Sequence, residues 1–311
     1  MKAPGKLCIW LITDGKPGHE NQSRGLTEAL GRQVPTEVWL VPAQPATHAI
    51  TDVLFRRAEW AATLPDPDLI MGAGHATHLT LLAARRARGG RAIVMMKPSL
   101  PCGLFDLCVI PSHDDVAASD RIWVTEGALN RIHRESAAAF PARQASGLIL
   151  IGGPSPHFEW DMSAILRQLR EILESGTSTH WTLTTSRRTP SDFAERLAEA
   201  RHPNLTVTPH TGADANWLPA RLLENGQVWV TPDSASMVYE ALTAGADVGL
   251  FDLPPQPNSR VVKAIDRLVE QRRVTPFSSW LARRELIPNT HPLNEAERCA
   301  EWIIKWLKNA S

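Results

Sequence analysis

Cysteine is scarce in this chain: four stand among 311 residues, and no two form a CxxC spacing. Cys8, Cys102, Cys108 and Cys299 are scattered, which leaves a disulfide scaffold and secretion unsupported and fits a reducing cytoplasm. Tyrosine is rarer still, with one copy against 11 Trp, most of which lie in apolar runs as core packing requires. Neither sign of charge is in excess. The 33 Lys+Arg meet 33 Asp+Glu, so the balance carries no footprint for nucleic acid. Long apolar runs are missing as well. The first, Leu7 to Ile12, is too short for a signal peptide and meets Asp14 at once. None approaches the about 20 residues of a transmembrane helix. These absences point to a cytoplasmic globular protein.

What is present is a rhythm. Apolar strands alternate with amphipathic helices: a strand at Lys6–Thr13, a helix at His19–Leu30, strands at Thr36–Val41 and Asp68–Gly72, a helix at His75–Arg88, then strands at Arg91–Met96, Phe105–Pro111 and Arg121–Thr125. The pattern breaks near Glu135–Ala145 and restarts with the apolar run Gly147–Ile151. Alternating βα units with continuous apolar strands imply α/β architecture with parallel sheets covered on both faces. Two such runs imply two facing Rossmann-like, doubly wound domains, at 1–143 and 144–292. Residues 293–311 form a last helix. Its apolar face (Trp302, Ile303, Trp306, Leu307) is expected to pack on the N-terminal domain, because its polar face is mixed in charge rather than basic. Arg85, Arg86, Arg88 and Arg91 make a local basic cluster, read as a solvated helix end, with peripheral contact at an anionic inner membrane as the other use.

The richest stretch runs from Gln227 to Phe251: strand, polar loop, helix, glycine stop, strand. Asp233, Ser234 and Ser236 are N-cap residue types placed before Met237, Ala241 and Leu242. Such a layout aims backbone N–H groups and small hydroxyls at an anion such as a diphosphate. Glu240, a turn further on, is placed to accept from sugar hydroxyls. Ile151-Gly152-Gly153-Pro154-Ser155 is another glycine turn after a strand, lacking both a full GxGxxG and the Lys-Ser/Thr of a P-loop. Arg187 and Arg188 end a strand, where one guanidinium pointing inward would neutralise a diphosphate. Gln256 and Asn258 offer donors and acceptors to a hydroxyl-rich sugar, or simply form a turn and cap the next helix.

In the first half, Asp14-Gly15-Lys16-Pro17-Gly18-His19 follows the first strand. Gly15 and Gly18 allow a tight turn and a close ligand, and His19 at the helix start is a candidate general base. Lys97, after a later strand, is a candidate for an anionic acceptor. His113, Asp114 and Asp115 read as a turn, since three adjacent loop residues rarely converge on one metal ion.

These pieces resemble the GT-B glycosyltransferases, and in particular the transferase that adds N-acetylglucosamine to the lipid-linked peptidoglycan precursor. Lys16-Pro-Gly-His19, Gly152-Gly-Pro-Ser155, Asp233–Glu240 and Gln256 with Asn258 are each similar to one of its motifs. Nearly the whole chain is similar to the Elm family, named for a plant mitochondrial-fission factor but abundant in bacteria. Asp14–Gln22, Lys97-Pro-Ser99, Leu150–Ser155, Thr185–Arg188 and Pro232–Ala241 carry that likeness. Pro154, Pro156 and Met237, where a threonine is expected, depart from the pattern.

The resemblance implies metal-independent sugar transfer without a cofactor, from a nucleotide-diphosphate donor to an envelope glycan or lipid-linked acceptor. Gly152, Gly153, Ser155, Arg187, Arg188, Asp233, Ser234, Ser236, Met237, Glu240, Gln256 and Asn258 would serve the nucleotide sugar. Gly15, Lys16, Gly18 and Lys97 would lie on the acceptor side, with His19 and Asp14 as catalytic groups. The rival readings are a hydrolysing nucleotide-sugar epimerase and a non-catalytic adaptor.

Overall fold

The computed structural model describes residues 6–134, 146–176, 178–199, 202–212 and 216–309. It divides into two compact units. The first combines residues 1–131 with 294–311, and the second spans 132–293. The domain boundary expected between 143 and 144 lies outside the described residues.

In the first unit the chain runs β1 (Leu7–Thr13), α1 (Pro17–Gln33), β2 (Thr36–Pro42), α2 (Ala46–Phe55), β3 (Leu69–Ala73), α3 (His78–Arg88), β4 (Arg91–Met95), β5 (Leu107–Pro111) and β6 (Ile122–Thr125). The six strands form one parallel sheet in the order β2-β1-β3-β4-β5-β6. Period-two alternation sends neighbouring residues to opposite faces. Ile9, Leu11, Met71, Ile93 and Val109 enter one core, and Cys8, Trp10, Ile12, Val94 and Ile110 the other. Both faces are covered, which is why these strands read as continuous apolar runs.

The second unit runs β7 (Ser146–Ile151), α4 (Met162–Ser175), β8 (His180–Thr185), α5 (Asp192–Glu199), β9 (Leu205–Thr208), α6 (Trp217–Glu224), β10 (Gln227–Val230), α7 (Ala235–Ala244), β11 (Asp247–Leu250), α8 (Arg260–Glu270), β12 (Thr275–Pro276) and α9 (Phe277–Arg283). Its parallel sheet has the order β12-β11-β10-β7-β8-β9. Trp229, fully buried, packs edge-on against Phe251, Phe277 and Trp280.

The last helix, α10 (Glu295–Asn309), belongs to the first unit. Ala296, Cys299, Ala300 and Ile303 join the core lined by Leu26 and Leu30 of α1. Trp302 stacks on Trp306, and the Arg91 guanidinium lies 4.5 Å from the Trp306 ring centre. The arginine cluster is therefore mostly not a solvated end. Arg85 pairs with Asp106 at 2.7 Å, and Arg88 with Asp66 at 2.7 Å, while Arg86 alone of the four stays exposed. Among the described residues no helix is long and apolar enough to cross a membrane.

Candidate functional site

In a doubly wound sheet, ligands bind at the carboxyl ends of the strands where the order reverses. The first sheet reverses between β1 and β3, the second between β7 and β10. Each reversal carries a cluster of polar groups.

At the first, Asp14 follows β1 and His19 lies in the opening turn of α1, behind Lys16 at the N-cap and Pro17. His19 Nδ1 sits 2.9 Å from Asp14 Oδ2, with side chains 20% and 5% exposed. A carboxylate accepts from Nδ1–H, which leaves Nε2 as the lone-pair nitrogen. No described residue bonds that nitrogen. Asp14 also accepts from the Lys16 N–H at 3.2 Å. Burial pushes its carboxyl up, but the His19 hydrogen bond, the Lys16 N–H and the charges of both residues outweigh this and hold it below its ordinary value.

The imidazole lies against the chain that leaves β3. Gly74 adopts φ +86°, and a Cβ there would overlap the His19 ring at Cε1 and Nδ1. Gly74→Ala is therefore expected to push the ring off Asp14, on top of the cost of a left-handed backbone. Histidine NMR should show the Nδ1–H signal of His19 lost while the rest of the fold persists.

Beside this pair opens a cleft of about 560 Å³ lined by Asp14, Gln44, Pro45, Ala46, His75 and Leu79, among others, a size typical of ligand sites. Sequence reasoning missed Gln44, Gly74 and His75, because only the strand order brings them to β1. His78, next along, is a different case. Burial, and then the charge of His75, lower its pKa to about 4, and Ser99 Oγ lies 3.3 Å from its Nδ1. It is a neutral packing residue. Gly15 turns at φ +74°, while at Gly18 a Cβ would meet only open space. Lys16 Nζ stands 3.9 Å from Asp14. Lys97, two strands from β1, donates to the Asp114 carbonyl at 3.1 Å.

At the second reversal the arrangement differs from the expectation. The Gly152 N–H donates to Thr231 Oγ1 at 2.7 Å, and the Gly153 N–H to Asp233 Oδ2 at 3.2 Å. Both glycine donors are thus engaged inside the protein rather than presented to a phosphate. Asp233 is not a helix cap but a buried anchor. Its side chain is 1% exposed and pairs with Arg188 at 2.6 Å, and its Oδ1 has no partner. Arg188 also donates to the Gly153 and Pro154 carbonyls. A Cβ on Gly153 would overlap the Arg188 carbonyl, so the glycine is needed for this close approach. Ser155 Oγ is engaged as well, accepting from the His157 and Phe158 N–H groups.

What remains open there is the first turn of α7. Ser234 is its N-cap and makes no side-chain cap bond. Ser236 and Met237 are half-buried in that turn, and Glu240 lies four residues beyond Ser236 on the same face. Arg187 is exposed and, unlike Arg188, pairs with no described residue. The Gln256 N–H donates to the His157 carbonyl at 2.8 Å, which ties the Gln256–Asn258 loop to the residues after Ser155. Asn258 is exposed at φ +59°. Among the described residues no three His, Cys, Asp or Glu side chains converge to hold a metal ion.

Residues 17–307 match the family described as "Mitochondrial fission ELM1". A protein of Rickettsia prowazekii (strain Madrid E), described as uncharacterized protein RP120, is 25% identical over 350 residues, covering 96% of this chain and 98% of that one. Among solved structures, the chain is similar to the UDP-GlcNAc 2-epimerase of Methanocaldococcus jannaschii, with TM-score 0.64 and 11% identity over 98% of this chain and 99% of that one. It is also similar to MurG of Acinetobacter baumannii, with TM-score 0.57 and 14% identity over 96% and 99%. At such identity these likenesses establish the fold, which is GT-B-like.

Proposed function

The chain belongs to the mitochondrial fission ELM1 family, and on that premise we propose that it is a GT-B glycosyltransferase working from a nucleotide-diphosphate sugar. The observation that carries the proposal is the oriented imidazole of His19, held by Asp14 at the first switch point. In this reading Nε2 takes the proton of an acceptor hydroxyl as that oxygen attacks the sugar carbon, and Asp14 stabilises the imidazolium that forms. In the second unit the first turn of α7, with Ser234 and Ser236, holds the diphosphate, and Arg187 neutralises it as it leaves. Glu240 accepts from the ribose, and Gln256 and Asn258 from the sugar. Gly152, Gly153, Asp233 and Arg188 shape that site rather than touch the donor. The acceptor is an envelope glycan or a lipid-linked sugar, met at the inner face of the membrane.

A panel of UDP-, GDP-, ADP-, CMP- and dTDP-sugars tests the donor half by calorimetry. One of them is expected to bind, and Arg187→Ala should weaken it about tenfold, as loss of a charge-assisted contact does, with melting temperature unchanged. Failure of every donor to bind would favour the adaptor reading. The Asp14 carboxylate in the cleft wall supports a second reading, a hydrolysing epimerase, which needs a carboxylate at the sugar carbon. Chromatography of the products separates a free epimer from a transferred sugar.

A further inference from the structure

Helix α2 presents an apolar surface to solvent. Its buried face is Ala49 and Val53, packed toward Trp10 and α3. The exposed arc carries Thr47, His48, Ile50, Thr51, Leu54 and Phe55, with no Lys, Arg, Asp or Glu among them. Leu54 and Phe55 are each 67% exposed and Ile50 is 48%. The one carboxylate of the helix, Asp52, is turned away to accept from Trp60 Nε1 at 3.0 Å. Large apolar side chains clustered on one exposed helix face mark a binding surface rather than ordinary surface scatter.

Arginines gather at the C-terminal end of this face. Arg56 ends the helix in the left-handed conformation at φ +54°, and Arg57 sets its guanidinium 5.7 Å from the Phe55 ring centre. α3 runs parallel to α2 in the same layer, so its last turn brings exposed Arg86 to the same end of the sheet. Glu59 is the nearby carboxylate, and at 4.0 Å it is already shared with Arg57. Arg56 and Arg86 are exposed and pair with no described residue. Lipid phosphates would meet them, while Ile50, Leu54 and Phe55 enter the acyl boundary.

We propose that α2 docks the protein on the surface of an anionic lipid bilayer. Neither α10 nor the other arginines of the sequence cluster is free for that task, because they are packed into the first unit. The helix begins at Ala46, in the wall of the cleft that holds Asp14. Leu54, Phe55 and the arginines lie at the other end of the helix, about 12 Å further along, and the docking does not rest on the transfer reading.

Sedimentation of the full chain with vesicles tests it. Vesicles of phosphatidylcholine with about one third phosphatidylglycerol should carry the protein down, vesicles of phosphatidylcholine alone should not, and binding should weaken with salt. Leu54→Gln with Phe55→Gln, and separately Arg56→Glu with Arg57→Glu, should each reduce binding by about tenfold or more. All four positions are exposed, so the fold should survive, as unchanged melting curves would show. Nucleotide-sugar binding should be the same in all variants, which separates this proposal from the assignment of activity. Absence of the wild type from anionic vesicles at low salt would overturn the proposal. So would binding that ignores both double variants, or a lipid-free dimer that Leu54→Gln with Phe55→Gln dissociates.

Discussion

His19→Ala is expected to lower the rate of sugar transfer by about 10²–10⁴-fold, the usual worth of a positioned general base. The donor's dissociation constant should stay the same, because the donor groups lie on the second unit. The effect should therefore fall on kcat. Asp14→Asn keeps the shape of the partner but removes its charge, so the imidazolium loses its counter-ion and the rate should fall as well. An unchanged turnover in His19→Ala would remove the base assignment, and with it the proposed mechanism.

The same pair leaves a mark on stability. Asp14's folded-state pKa lies below its ordinary value of 3.8. A depressed carboxyl stabilises the fold above that ordinary value, and the contribution disappears as pH falls through the lower, folded one. The difference in melting temperature between wild type and Asp14→Asn should therefore hold level from neutral pH to about 5. It should shrink as the pH is taken below 3.8.

The second large effect is expected in the other unit and concerns folding. Arg188→Ala should destabilise by about 2–4 kcal/mol, toward the lower side of what breaking a buried pair costs, since the guanidinium is itself half exposed. The reason is asymmetric. Asp233 is 1% exposed and cannot reach water, so without Arg188 its charge keeps only the Gly153 N–H, with Oδ1 already unpartnered. Arg188 is 42% exposed and can turn to solvent. Asp233→Asn should accordingly cost less than Arg188→Ala, and the double variant should regain part of the loss. Thermal melts should show a fall of roughly 5–12 °C for Arg188→Ala against little change for Arg187→Ala. Equal, small shifts for both arginines would refute the buried-pair account.

Much of this architecture is written locally. The strands are legible because both faces of each sheet are buried, so runs such as Leu7–Ile12 and Leu148–Ile151 are apolar without interruption. Asp14 and His19 are legible because a glycine turn between strand and helix marks them. α2 is not legible: it follows Pro45 with no side-chain cap, and its threonines, Ile50 and Val53 are indifferent helix formers. Two-residue β12 is too short to leave a period. The glycine turn at Gly152 shows the deeper difficulty. Its backbone donors look free in the sequence, and only the pairing of β7 with β10 brings Thr231 and Asp233 to occupy them. Likewise nothing near His19 announces Gly74.

The first unit also has an unusual history during synthesis. It is assembled from two stretches of chain separated by the whole of the second unit. When the ribosome has finished β6, it still has to make about 170 residues before it reaches α10, roughly ten to thirty seconds at common elongation rates. Through that interval the surface lined by Leu26, Leu30 and Leu69 waits without Ala296, Cys299, Ala300 and Ile303 to cover it. The second unit, being continuous in sequence, can close meanwhile. The half that is translated first is thus the half completed last, and it is the one exposed to chaperones and to aggregation on the way.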